Sequence, residues 1–448
     1  MAGIVGIAQE GRSTDIKRML DKICHRGGDG RQITELDGAT FGIVYPKAQS
    51  DQLTRMKIVK DETGEGHFAR AHKKENNILL ERDPLGISPL YYGYTEDKIL
   101  CFASEVKALL LLTDDVRQVP PGHRYNGERT DQYFQLQKKP TIDHSPEVLA
   151  KKLYQLLKAA VKKYIKEDQT IIGSWLSGGL DSSTIAALVR PHVETLHTFA
   201  AGFAHAPDIK YAKELAEFVQ SEHHEVIVSF DDIIAVLPKV IYHLESFDAL
   251  LVRSTVTNYL ASKEASKYVL AVFSGEGADE LFAGYAYLKM IEPKLLPNEL
   301  IDIIARLHNT ALQRVDRSAS AHGLVAYVPF LDPDVVDFAL KVPVKYKLHK
   351  NIEKWIVRLA MEDYLPNNVL FRPKAKFWQG AGVGERLARY AEEQIDDTQF
   401  KQDRILPNGW VLNTKEELIY YRIFQEHFGD LDNLEWLGRT KGAPKIYS

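Results

Sequence analysis

The chain is poor in cysteine: its 448 residues contain two, Cys24 and Cys101, and no Cys-x-x-Cys pair. That excludes a disulfide framework and a cysteine-built zinc site, and it suits a reducing cytoplasm. Both cysteines stand in apolar surroundings and read as core residues. No apolar run reaches the roughly 20 residues needed to span a bilayer. The opening Met1-Ala2-Gly3-Ile4-Val5-Gly6-Ile7 lacks a basic flank, so it reads as a buried strand and not as a signal peptide. Charge of one sign is scarce too. A net charge of −4 gives no footprint for non-specific nucleic-acid binding. Lysine pairs such as Lys138-Lys139, Lys151-Lys152 and Lys162-Lys163 read as solvated faces. With 45% hydrophobic and 26% charged residues the chain is an ordinary folded one, not a disordered one. At roughly 100–200 residues per domain, its length predicts two or three domains.

Turn residues punctuate short apolar runs over the first 130 or so residues, predicting strands at 4–7, 40–45, 77–81 and 90–94. Ile16, Met19, Leu20 and Ile23 recur at helical spacing and predict one early helix over 14–23. The stretch 51–74 is polar and weakly periodic, and reads as a surface excursion. A polar connector follows at about 126–145. Ser145-Pro146-Glu147 then carries a capping residue, a first-turn proline and an early acid, which open a helix. Its apolar positions are Val148, Leu149, Leu153, Leu156, Leu157, Val161 and Tyr164. From residue 170 the pattern changes. Strand candidates at 171–176, 195–203, 224–228 and 269–273 alternate with helical segments, which argues for a mostly parallel α/β sheet. The remainder, from about 281, reads as mainly helical.

The sharpest chemical signal is Ser177-Gly178-Gly179-Leu180-Asp181-Ser182-Ser183, placed after a strand and opening a helix. Glycines let backbone amides approach an anion, and the new helix offers unpaired N–H groups with its positive dipole end. The serines add hydroxyl donors, and Asp181 is suited to holding Mg²⁺ against that anion. The lysine of a GxxxxGK[ST] loop is absent. A second segment, Ser274-Gly275-Glu276-Gly277-Ala278-Asp279-Glu280, also follows a strand and gathers three acids within five residues. Such a cluster repels itself unless a cation or proton is shared; a capped helix N-terminus is the plainer alternative. His223-His224-Glu225 looks like a metal cluster, but adjacent residues on a strand point to opposite faces, so these histidines read as structural.

The Ser177–Ser183 segment resembles the pyrophosphate loop of N-type ATP pyrophosphatases, and its surroundings resemble the asparagine synthetase family. The likeness extends through His197-Thr198-Phe199-Ala200-Ala201-Gly202, Tyr242-His243-Leu244-Glu245-Ser246-Phe247-Asp248, Val328-Pro329-Phe330-Leu331-Asp332 and Arg372-Pro373-Lys374. It implies an α/β chain of two domains: a degenerate N-terminal-nucleophile-type β-sandwich (αββα) over 1–130, and a doubly wound parallel-sheet pyrophosphatase domain with a helical end over 145–448. It also implies cleavage of ATP to AMP and pyrophosphate with Mg²⁺ as cofactor, through an acyl-adenylate that ammonia or another amine attacks. Aspartate is the first candidate for the small-molecule carboxylate. No nucleic-acid or membrane partner is implied, and a homodimer is admitted. By the same resemblance Trp175, Leu176, the Ser177–Ser183 loop, Ala201, Ser274 and Gly275 border the nucleotide, and Asp181 and Asp279 hold the metal. Glu276 is the base for the incoming amine, which needs a free lone pair to attack. Lys374 stabilises the developing charge, with Lys376 able to share that role. Arg253, Glu245 and Asp248 face the substrate, although a surface ion pair explains Arg253 and Glu245 equally well.

The chain also departs from the family. The N-terminal likeness continues through His25-Arg26-Gly27-Gly28-Asp29-Gly30, Arg82-Asp83-Pro84-Leu85-Gly86 and Phe102-Ala103-Ser104-Glu105-Val106-Lys107. Yet Ala2 stands where the family's nucleophilic cysteine belongs, in a Met-x-Gly-Ile-x-Gly start, and an Asn-Gly-Glu segment for glutamine is missing. Alanine cannot attack an amide, so glutaminase activity is expected to be absent and ammonia or an amine to be the nitrogen source. Val325 and Tyr327 replace a Glu-x-Arg pair before Pro329, and Leu250-Leu251 stand where threonines are common. A more apolar pocket suits a carboxylate other than aspartate. Ligases that form β-lactams or other amides resemble this chain as well, although they place a tyrosine at the position of Glu276. A pseudoenzyme or assembly partner is the non-enzymatic alternative.

Overall fold

The computed structural model describes residues 2–46, 58–64, 66–74, 77–166, 169–372 and 382–441. Eleven short strands build two antiparallel sheets in the first part of the chain. They are β1 (Gly3–Ile7), β2 (Gly30–Leu36), β3 (Ala39–Tyr45), β4 (Ile58–Gly64), β5 (His67–Lys74), β6 (Asn77–Arg82), β7 (Tyr91–Tyr94), β8 (Leu100–Ala103), β9 (Arg117–Gln118), β10 (His123–Tyr125) and β11 (Thr130–Gln132). One sheet runs β2-β3-β1-β8-β7-β9 and the other β11-β10-β6-β5-β4. Ile4, Phe41, Phe102, Ala69, Leu80 and Tyr125 fill the space between them. Opposite faces of a strand carry alternate residues, so Val5 and Ile7 of β1 turn the other way. There they meet α1 (Ser13–Lys22) and α2 (Val106–Leu109).

Two expectations are corrected here. Residues 58–74 are not a surface excursion but β4 and β5, paired in antiparallel register from Ile58↔His72 to Gly64↔His67; residues 51–57 lie outside the described ones. The inward positions of β5 are Ala69 and Ala71, too weakly hydrophobic to register as an apolar alternation. Cys24 is exposed, in the turn after α1, whereas Cys101 is buried on β8.

The second part starts with α3 (Pro146–Tyr164), capped by the Ser145 side chain accepting from the Val148 amide. Val148 itself is exposed; the helix buries Leu149, Leu153, Leu157, Val161 and Tyr164. Five parallel strands follow: β12 (Ile171–Trp175), β13 (Thr195–Gly202), β14 (Glu222–Ile227), β15 (Ala271–Phe273) and β16 (Val325–Tyr327). Their order is β14-β13-β12-β15-β16. The chain winds outward from β12 through β13 to β14, then returns to the far side of β12. That reversal puts a topological switch point between β12 and β15, where open parallel sheets bind ligands outside their carboxyl ends. The connecting helices are α4 (Leu180–Val189), α5 (Pro207–Phe218), α6 (Phe230–Leu244), α7 (Ala249–Ala265), α8 (Ala278–Leu281), α9 (Leu296–Ala305) and α10 (Ala311–Ser320). β16 is a strand in the region read as mainly helical. Its three residues are too few to show a period.

One apolar cluster unites the two parts. Ile16, Leu20 and Val106 pack in the same core as Leu237 and Val240 of α6, Val252 and Val256 of α7, and Phe424 of the helix Lys415–Phe428.

Candidate active site

β12 and β15 pair in parallel with Gly173 beside Val272 and Ser174 beside Phe273. The two loops that leave these strands therefore start level with one another. They touch: a Cβ on Gly275 would lie 2.8 Å from the Asp181 carbonyl carbon and 2.8 Å from the Ser182 amide nitrogen. Only glycine lets the acidic loop come this close to the serine loop. Within the serine loop the Ser182 hydroxyl accepts from the Ser177 amide at 3.2 Å, and Gly179 N–H donates to Ser177 Oγ at 3.3 Å. Gly178 sits at φ +65°, with its Cα against the backbone of Tyr211 on α5. Arg372 stacks on the Tyr211 ring at 4.1 Å, donates to the Ser177 carbonyl at 3.0 Å and pairs with Asp208. α5 and Arg372 thus buttress the loop from outside.

The two carboxylates meet on one cation. Lys354 Nζ lies 2.9 and 2.7 Å from the Asp181 oxygens and 2.9 Å from Asp279 Oδ1. Burial alone would lower this ammonium's pKa, but Asp181 and then Asp279 outweigh it and hold the lysine above its usual range. A Cβ at Gly284 would collide with Asp279 Oδ1, so the backbone there also fixes the carboxylate. Two acids focused on one point, beside glycine-opened amides and a helix N-terminus, form a donor set that fits Mg²⁺ and a pyrophosphate. The hydroxyl of Ser183 and the Trp175 indole N–H are buried with no hydrogen-bond partner among the described residues.

The rest of the acidic segment divides its roles. Glu276 pairs with Arg314 of α10. Glu280 is fully enclosed and pairs with Tyr285; burial, then Asp279 and Glu276, push its carboxyl up to about 8. Ser274 N–H donates to the Tyr327 carbonyl at 2.8 Å, which ties the start of the loop to β16. Ala201 is buried near the end of β13, beside β12.

The trio expected on the substrate side is held by partners of its own. Arg253 is buried and donates from Nε to Glu416 at 2.8 and 3.0 Å, so it is not the surface ion pair that the sequence also suggested. Glu245 is also buried, accepting from the amides of Val106 and Lys107 and pairing with Arg317 at 2.9 Å. Asp248 caps α7 through the Leu251 amide and receives Thr440. Lys374 and Lys376 lie outside the described residues. Val325 and Tyr327 are buried in β16. Tyr327 stacks on Tyr164 of α3 at 4.8 Å, so this aromatic packs the core behind the loop.

Sequence reasoning missed Lys354 and Arg314. Lys354 has the composition of any solvated lysine; only its left-handed backbone, φ 52°, marks it as specially placed. Arg314 shares α10 with Asp316 and Arg317, and that density of charge in a short amphipathic stretch was the available signal. The histidines behave as expected. On β14, His223 contacts Thr198 Oγ1 at 2.9 Å while His224 meets His197 at 3.0 Å on the other face. Burial pushes His223 down to about 4. Lys163, in contrast, is more than a solvated lysine: it pairs with Asp332 at 3.0 Å.

Known proteins match most of this chain. A family model described as asparagine synthase matches residues 152–302 and 294–442, and one described as a glutamine amidotransferase domain matches residues 44–111. The chain is 32% identical over 417 residues to a probable glutamine-hydrolyzing asparagine synthetase of Dictyostelium discoideum, covering 84% of this chain and 74% of that protein. This chain belongs to the asparagine synthetase family. A Schizosaccharomyces pombe member is 34% identical over 397 residues, covering 79% of this chain and 70% of its own. Glutamine-hydrolyzing asparagine synthetase 2 of Arabidopsis thaliana is 33% identical over 393 residues; the match takes in 81% of this chain and 66% of the Arabidopsis protein. The chain thus spans about two thirds of that relative's length. Among solved structures, NMN synthetase from Francisella tularensis aligns with 64% of this chain and 98% of its own at TM-score 0.30 and 16% identity. Likeness at that level says nothing about this chain's substrate. No helix among the described residues is long and apolar enough to cross a membrane.

Proposed function

We propose that this family member is an ATP-dependent amidoligase that activates a carboxylate, aspartate first among candidates, as its adenylate and transfers ammonia or another amine to it. The observation that carries the reading is the convergence of Asp181 and Asp279 on a single cation at the sheet's switch point. Bound Mg²⁺ would neutralise the polyphosphate and help pyrophosphate depart. The chain's own part is to cradle the pyrophosphate with the Ser177–Ser183 amides and hydroxyls, to hold the metal with Asp181 and Asp279, and to keep Lys354 against both carboxylates. Lys354 can follow the charge onto the leaving group without leaving its pocket. Glu276, oriented by Arg314, accepts the proton that the amine loses on attack. Lys374 keeps its proposed role beside the leaving group.

Glutamine hydrolysis is absent from this proposal because Ala2 carries no nucleophile. The names of the relatives above specify glutamine hydrolysis; Ala2 and the missing Asn-Gly-Glu segment are what set this chain apart from them. The test follows pyrophosphate release with ATP, Mg²⁺ and a panel of carboxylates, with ammonium or glutamine as donor and mass spectrometry of the product. Ammonium-dependent amide and AMP are expected with at least one carboxylate. Turnover with glutamine as fast as with ammonium would sink the ammonia reading, and a cyclic product would move the β-lactam-type alternative ahead.

A further inference from the structure

α10 is a short helix in which every residue from Leu312 to Ser320 is buried, although Gln313, Arg314, Asp316 and Arg317 are polar or charged. Buried charge persists only when paired, and each of these side chains is paired with a different part of the molecule. Gln313 donates to the Leu244 carbonyl at 2.7 Å. Arg314 meets Glu276 in the site. Arg317 pairs with Glu245 at 2.9 Å and reaches Glu105 at 3.3 Å. Asp316 receives a two-pronged bond from Arg26 of the N-terminal part, at 2.9 Å from Nη1 and 2.8 Å from Nη2.

Arg26 is held as firmly as it holds. Its Nη1 also donates to Glu105 at 2.8 Å and to Ser320 at 3.3 Å, and its Nε donates to the Ala2 carbonyl at 2.8 Å. Nη2 lies 3.4 Å from Asp61. Asp316 and Ser320 are one turn apart, so Arg26 grips one face of α10 along that turn. Arg314 lies two residues before Asp316, about 200° round a helix of 3.6 residues per turn. The N-terminal part therefore holds one side of the helix while the opposite side presents Arg314 to Glu276.

We propose that Arg26 and Asp316 form a clamp through which the N-terminal domain sets Arg314 against Glu276, which makes Arg26 a positioning residue for the amine-transfer half of the reaction. The inference rests on the function proposed above. A domain with alanine at position 2 thereby keeps a role, as a structural part of the synthetase's amine end. A planar guanidinium fork fixes helix rotation as well as distance, which a point charge does less well.

The test separates the two half-reactions in the full chain. Arg26→Gln combined with Asp316→Asn removes both charges, so neither is left buried alone. Carboxylate-dependent ATP–pyrophosphate exchange is expected to stay within about threefold of the parent. Amide formation with ammonium chloride is expected to lose about tenfold in kcat/KM, chiefly through KM, and Arg26→Lys with Asp316 intact is expected to recover part of it, because a point charge holds the helix's distance but not its rotation. The proposal is overturned if a folded double variant transfers ammonium normally, or if both half-reactions fall together without rescue by lysine. Should the parent itself show no exchange with any carboxylate, the proposed function fails and the clamp is read by hydrogen exchange instead. Faster exchange at the Gly275–Glu280 amides in the double variant, partly reversed in Arg26→Lys, upholds it; unchanged exchange overturns it.

Discussion

Two clusters of enclosed charge in this chain are finished in opposite ways. At the switch point Asp181 and Asp279 each keep 19% of their side-chain surface exposed around Lys354. Between the N-terminal strands and α10, Arg26, Asp61 and Glu105 are wholly buried, and Asp316 and Arg317 keep 2% and 1%. The closed cluster directs its bonding capacity to other protein groups, so it transmits geometry and stability. The open cluster keeps part of its carboxylate surface exposed. Exposure at a converging pair of acids, more than their number, separates a site from a strut.

The sharpest break of that comparison is functional. Asp279→Asn is expected to cut ATP–pyrophosphate exchange by about 10²–10³-fold, the scale on which a single charge-stabilising group acts. The urea midpoint should hardly move, because Lys354 keeps Asp181. Lost stability with retained exchange would make the open cluster a strut after all.

Arg317→Met inverts the pattern. It removes one partner each from Glu245, Glu105 and Asp316, which Lys107 and Arg26 still meet, so the loss is expected at or below the about 3–5 kcal/mol that a buried charge left unpaired costs. Chemical denaturation reads this directly. A loss below about 1 kcal/mol would show that this buried network is loosely coupled.

Acid gives a smaller effect at the same contact. Burial, seconded by His25 and Lys107, pushes His243 down to about 2, and burial pushes His322 down to about 4. His243 of α6 meets His25 of the N-terminal part at 4.5 Å, and His322, just after α10, packs on Tyr259 of α7 at 4.4 Å. A histidine kept neutral in the fold but free to take a proton near pH 6.5 when unfolded stabilises the protein above 6.5. That contribution is lost as pH falls below 6.5 towards the folded value. Each such group steepens the decline by at most about 1.4 kcal/mol per pH unit. His243→Phe should flatten the stability profile between pH 6.5 and 5 by up to one proton's worth. Identical slopes for parent and variant would remove His243 from the linkage.

What could be read beforehand follows the same divide. The Asp181 and Asp279 loops were legible because each is a continuous run of glycine, serine and acid at a strand end. Such runs keep their meaning whatever packs around them, and the parallel order of β12 and β15 then brings them together. Lys354 and Arg314 were illegible because their roles depend on long-range placement: a left-handed residue in one case, a buried helix in the other. Glu245 and Arg253 illustrate the converse. They belong to a motif, and sequence did not show that Glu245 would be buried on the Val106 and Lys107 amides or that Arg253 would pair with Glu416. Strand β5 failed for a third reason, since alanine fills a thin sheet contact without registering as hydrophobic.

The smallest effect is expected at position 2, and it sharpens the comparison from the N-terminal side. Ala2 is wholly enclosed with Ile4, Phe41 and Phe102 in the core between the two sheets, and its carbonyl is bound by Arg26. Ala2→Cys adds a sulfur to a packed core, where overfilling costs about 1–3 kcal/mol. A thiol in apolar surroundings stays protonated and unreactive. Glutamate release from glutamine should therefore remain at background in the variant, and ammonium should remain the effective donor. Glutamate formed in step with amide product would show that the enclosure opens in solution, and that the N-terminal domain lacks only its nucleophile.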